Sequence, residues 1–106
     1  MARAQGPQEK KREVSMADFS TALRDLKNGF KVARTGWNGK GMFIFYNPMS
    51  IITVSEGRPL ASALPVGTSV KCLPYIMMKT ANNAFTIVPW LASQTDILAD
   101  DWVQVD

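Results

Sequence analysis

The stretch DFSTALRDLKNGFKVARTGWNGKGMFIFY, residues 18–46, decides the fold. Its first part has the period of a helix and its second part does not. Phe19, Ala22, Leu23 and Leu26 recur at i, i+3, i+4 and i+7, which is one face of an amphipathic helix. Asp18 stands just before that face as an N-cap, placed to accept from the free N–H groups of the first turn. Gly29, after Asn28, supplies the stop. Arg24, Asp25 and Lys27 fall on the solvent side. A helix over 19–28 is too short to hold alone, so it must pack on something. Beyond Gly29 the chain turns strand-like. Lys31–Arg34 alternates weakly, and Met42–Tyr46 is a dense apolar and aromatic run of strand length.

Downstream the chain keeps to short strands and turns. Asn47-Pro48 breaks the aromatic run, and Ile51–Val54 is β-branched. Glu56–Pro59 and Pro65–Thr68 are turns, the second leading into Ser69–Leu73. Tyr75–Thr80 and Phe85–Val88 form a hairpin around Asn82-Asn83. Ser93–Ala99 has room for a helical turn, and Trp102–Val105 is a final strand. One helix and about six strands make an α+β fold. A short N-terminal helix packs on a mainly antiparallel β-sheet, in a single small domain over residues 16–106. Residues 1–15 are polar and aperiodic and read as a disordered basic tail.

Composition narrows the function. The formal net charge is +3, and residues 1–15 carry much of it through Arg3, Lys10, Lys11 and Arg12 against Glu9 and Glu13. The body is nearly neutral, which argues against extended nucleic-acid binding, where many phosphates must be met. The sequence has no histidine, so histidine bases, triads and metal ligands are excluded. Its one cysteine, Cys72, allows no intrachain disulfide and no cysteine zinc site, in keeping with a reducing cytoplasm. It reads as a packing residue. No apolar run approaches a membrane span, and no secretory apolar region opens the chain, so a cytoplasmic location is expected.

Three segments can carry chemistry. Gly36-Trp37-Asn38-Gly39-Lys40-Gly41 has three glycines in six residues, a lysine suited to phosphate, and a tryptophan face suited to a base. Its spacing is not that of a P-loop. The competing reading is a tight turn with Trp37 in the core. Met77–Thr80 places Lys79 and Thr80 at a strand end, either for phosphate or ribose or as a solubilising strand edge. In the run Val88–Trp102, Trp90 and Trp102 flank Ser93, Gln94, Thr95 and Asp96. Gln94 and Asp96 can read a base edge or ribose hydroxyls. Alternatively both tryptophans are core and Ser93 or Thr95 caps a short helix. Trp102, opening the last strand, reads as core, and Asp100 and Asp101 as solvated. Nothing marks Asp96 with Asp100 or Asp101 as a catalytic dyad.

In this order the segments resemble the Thoeris anti-defence two family of phage proteins. The carrying strings are Val32-Ala33-Arg34, then Gly36 through Met42, then Met78-Lys79-Thr80-Ala81, then Ile87 through Trp102, and the likeness spans about residues 16–106. The resemblance implies a non-catalytic sponge, one that binds glycocyclic ADP-ribose immune signals without cleaving them. It also implies cyclic dinucleotides at a separate site in some members, and a homotetramer with pockets at subunit interfaces. No cofactor or metal is implied. For such a ligand the expected site is Trp37 and Trp90 for stacking, Asn38, Gln94, Thr95 and Asp96 for polar readout, and Lys40 and Lys79 for charge. The alternatives are a nucleotide hydrolase or cyclic-nucleotide esterase, and a nucleic-acid-binding accessory protein acting through the tail.

Overall fold

Asp18 opens the first helix as its side chain requires: Oδ1 accepts the Thr21 N–H at 3.0 Å and the Ser20 hydroxyl at 3.1 Å. The Thr21 amide, with the Ser20 hydroxyl, holds the Asp18 carboxyl below its ordinary range. Helix α1 runs Phe19–Lys27 and buries Ala22 and Leu26. The chain turns at Asn28 and Gly29, where φ is +93°. This computed structural model describes residues 15–82 and 85–106. Apart from Ser15, the expected tail lies outside the described residues, as does Asn83 of the expected hairpin turn.

Among the described residues, seven strands come after the helix: β1 Lys31–Arg34, β2 Phe43–Asn47, β3 Ser50–Thr53, β4 Ser69–Cys72, β5 Tyr75–Lys79, β6 Ile87–Pro89 and β7 Trp102–Val105. A four-residue helix α2, Gln94–Ile97, precedes β7, and a 3₁₀ turn covers Pro59–Ser62. The main sheet has the order β6-β5-β2-β1-β7, with every pairing antiparallel. The expected α+β class is therefore observed, and each strand falls on a segment that the sequence marks as strand-like.

The sequence pattern did not reveal that the strands divide between two sheets. β3 and β4 pair only with each other. The register explains the division. Asn47 lies opposite Tyr75, and Ser50 lies opposite Cys72, so the β2–β5 ladder runs unshifted into β3–β4. Pro48 thus falls opposite Pro74. Neither residue has an N–H, so the ladder breaks on both strands at once. Cys72 belongs to this peripheral ribbon and is only half-buried, which corrects its reading as an interior packing residue.

One face of the main sheet meets α1. Val32, Ile44 and Trp102 pack there on Ala22 and Leu26, with Phe19, Leu23, Tyr46, Met78 and Trp90 around them. Trp102 is 1% exposed and sits at the centre of an aromatic cluster. Its ring lies 5.4 Å from Phe19, 5.4 Å from Trp37 and 6.1 Å from Trp90. Its indole N–H donates to the Asp96 carbonyl at 3.0 Å, so the largest core ring keeps no unsatisfied donor. Strand alternation sends Phe43, Phe45, Met77, Val103 and Val105 to the other face, where they are only partly covered.

Candidate functional site

Antiparallel pairing brings the three chemistry-bearing segments to one end of the main sheet. Arg34 ends β1 opposite Trp102, which begins β7. Phe43 begins β2 opposite Lys79, which ends β5, and Ile87 begins β6 beside Lys79. The glycine loop 35–42, the turn after Lys79 and the α2 segment are thus neighbours, though up to 62 residues separate them in the chain.

The loop is held on both sides. Toward the β5–β6 turn, a Cβ added at Gly39 would come 2.4 Å from the Ala81 Cβ and 2.6 Å from the Met42 sulfur, so only glycine fits. A Cβ added at Gly41 would sit 3.7 Å from the Lys79 Nζ, which places that ammonium against the loop. Lys79 also donates to the Asn82 carbonyl at 3.3 Å and stands 5.7 Å from the ring of Phe85. Phe85 is itself unusual: it is 83% exposed and holds a φ of +53°, which is strained for an aromatic residue.

On the other side two carboxylates do the holding. Asp101 accepts the Gly36 N–H at 2.8 Å and the Thr35 hydroxyl at 3.3 Å. A Cβ at Gly36 would come 2.8 Å from the same Asp101 oxygen, so a larger residue there would push aside the carboxylate that grips the loop. Asp96 Oδ1 accepts the Trp37 indole N–H at 3.3 Å. Arg34 lies between the two acids, its Nε on Asp101 Oδ1 at 2.8 Å and its Nη1 on Asp96 Oδ1 at 2.9 Å. Side-chain exposures of 17% for Arg34, 13% for Asp96 and 24% for Asp101 make this a partly shielded triad.

The protonation states follow from these contacts. Burial pushes the Asp96 carboxyl up, but hydrogen bonds from Arg34, Ser93 and Trp37 outweigh it and hold the group below the ordinary range. Arg34, against some burial, does the same for Asp101, with help from the Gly36 amide. The Arg34 guanidinium is raised in turn by Asp101 and Asp96. At neutral pH both acids are ionised, and neither is poised as a proton shuttle.

The expected site residues occupy different environments. Trp37 is half-buried and edge-on to Trp102 at 80°, so one edge of its ring packs on the core while the rest of the residue stays partly open to solvent. Asn38 and Lys40 are exposed on the loop, and Gln94 and Thr95 are exposed in α2. Ser93 caps α2 by accepting the Asp96 N–H at 3.0 Å, while Asp96 Oδ2 takes the Ser93 N–H at 3.4 Å, a capping box. Trp90 sits farther along the sheet, its amide on the Ile76 carbonyl at 3.0 Å and its ring against Phe19 and Trp102. Two residues with evident roles escape a reading of the sequence. Arg34 lies in a string that carries the resemblance but has no expected role in the site, and Asp101, expected to be solvated, is ion-paired.

Comparison with known proteins finds a family that this chain resembles over most of its length. A model of the Thoeris anti-defense 2-like domain matches residues 17–105. A protein named Thoeris anti-defense 2, from Bacillus phage SP01, is 40% identical over 86 residues, covering 79% of this chain and 89% of that protein.

Proposed function

Given that this chain belongs to the Thoeris anti-defense 2-like family, we propose that it is a sponge. It binds glycocyclic ADP-ribose-type immune signals, and by extension cyclic dinucleotides, and holds them intact. The observation that carries the reading is the meeting, at one sheet end, of an aromatic ring, two lysines and a set of exposed polar side chains. A ligand with a base, riboses and two phosphates needs that combination. Trp37 stacks on the base, Lys40 and Lys79 meet phosphates, and Asn38, Gln94 and Thr95 read hydroxyls. Asp96 orients Trp37 and can offer Oδ2 to a ribose. Trp90 supports the cluster through Trp102. Capture without turnover agrees with the state of Asp96 and Asp101, both fixed as anions by Arg34.

A sponge works by mass action in the cytoplasm of the infected cell, so it must bind more tightly than the host sensor. A nanomolar signal calls for about −12 kcal/mol. Calorimetric titration with glycocyclic ADP-ribose tests the proposal. Saturable binding at or below the micromolar range supports it, and no binding to this or any other immune cyclic nucleotide refutes it.

We further propose a homo-oligomer, a tetramer, as the working form. Support comes from the second face of the main sheet, where Phe43, Phe45, Met77, Val103 and Val105 are apolar and only partly buried. Light scattering should report a multiple of the chain mass, and Phe45→Asp should lower it while leaving the far-UV spectrum folded. A wild-type monomer at working concentration contradicts this part of the proposal.

A further inference from the structure

Arg34 makes a two-way fork. Its Nε and Nη1 reach different carboxylates, and each carboxylate grips a different part of one loop. Asp101 holds the backbone at Gly36, and Asp96 holds the indole of Trp37. Two carboxylates sharing one site repel unless a cation stands between them. Without the guanidinium, the charges that fix the loop would push its two anchors apart. The ring of Trp37 would then sample several orientations, and a ligand would have to order it on binding.

We infer that Arg34 is a positioning residue: by bridging Asp96 and Asp101 it fixes the Gly36–Trp37 backbone and the Trp37 ring in the orientation that receives a base. The inference rests on the sponge reading of this site. Lysine cannot replace it, because one ammonium is a point charge on a flexible stem and lacks the rigid fork that reaches both acids. The pairings span 67 and 62 residues of chain, so the effect belongs to the folded site and not to local helix or turn propensity.

The test uses the full chain with Arg34→Lys, Arg34→Met, Trp37→Phe and the double variant Arg34→Lys/Trp37→Phe. The first readout needs no ligand: the NMR position and solvent exchange of the Trp37 indole N–H. The second is affinity for glycocyclic ADP-ribose by calorimetry. In Arg34→Lys the indole signal should shift and exchange faster, and affinity should fall about tenfold from lost preorganisation. On the Trp37→Phe background the lysine substitution should add little, because the two residues act as one unit. An unchanged indole signal, or losses that add in full, overturns the inference. If Arg34→Met fails to fold, Arg34→Lys, which keeps the charge, still decides. If the wild type takes up no glycocyclic ADP-ribose, the sponge reading fails, while the indole signal still shows whether Arg34 orders the loop.

Discussion

Replacing Trp102 with alanine is expected to unfold the domain or bring it to the edge of unfolding at 37 °C. The side chain is 1% exposed and touches Phe19, Trp37 and Trp90. Truncating a buried tryptophan costs about 3–5 kcal/mol. Losing the indole bond leaves the Asp96 carbonyl with the longer bond from the Ala99 N–H, 3.4 Å, and adds to the cost. A small domain holds only about 5–15 kcal/mol in total. For a chain of this size, a loss of about 3–5 kcal/mol lowers Tm by roughly 12–40 °C. Differential scanning calorimetry checks this directly. A Tm within a few degrees of wild type would mean that the aromatic cluster is not the centre of the core.

Trp37→Ala should have its largest effect on binding. Losing a ring that stacks on a base costs about 1–3 kcal/mol, or roughly five- to more than hundredfold in affinity. The variant also loses the edge contact with Trp102 and the bond to Asp96, so some fall in Tm is expected. Trp37 is only half-buried, and the core residues Leu26, Val32 and Ile44 remain packed without it. The domain should therefore stay folded and assembled. Calorimetric titration and melting of the same sample separate the two effects. Wild-type affinity in a folded Trp37→Ala variant would remove the ring from the site.

Much of this fold is legible along the chain. The helix can be read because its signals are local: four apolar residues on one face, a capping aspartate and a glycine stop, all within 12 residues. The aromatic strand β2 and the last strand stand out by apolar density and by Trp102. The sheet division is less accessible. Pro48 and Pro74 are visible as breakers, but their joint effect depends on their facing one another, and facing is a matter of register.

The site shows the same limit more sharply. Its three segments are identifiable by residue type, since glycine, tryptophan and lysine in one short loop need an explanation. Their meeting at one sheet end is not, because it depends on strand order. Arg34 and Asp101 illustrate the point. Each looks like an ordinary surface charge, and only β1–β7 pairing, which sets Arg34 opposite Trp102, brings the guanidinium to Asp101. Trp37 is open to two readings because a ring in a glycine-rich turn can lie inward or outward. Here its edge meets Trp102 while the residue stays half-buried.

Capture without chemistry is the central claim, and one measurement addresses it most directly. The purified protein is mixed with glycocyclic ADP-ribose, freed of unbound small molecules and heated to release what it holds, and the released molecule is identified by mass spectrometry. A sponge returns the signal unchanged, in proportion to the protein present. A linear or hydrolysed product, or nothing released at all, would contradict the account.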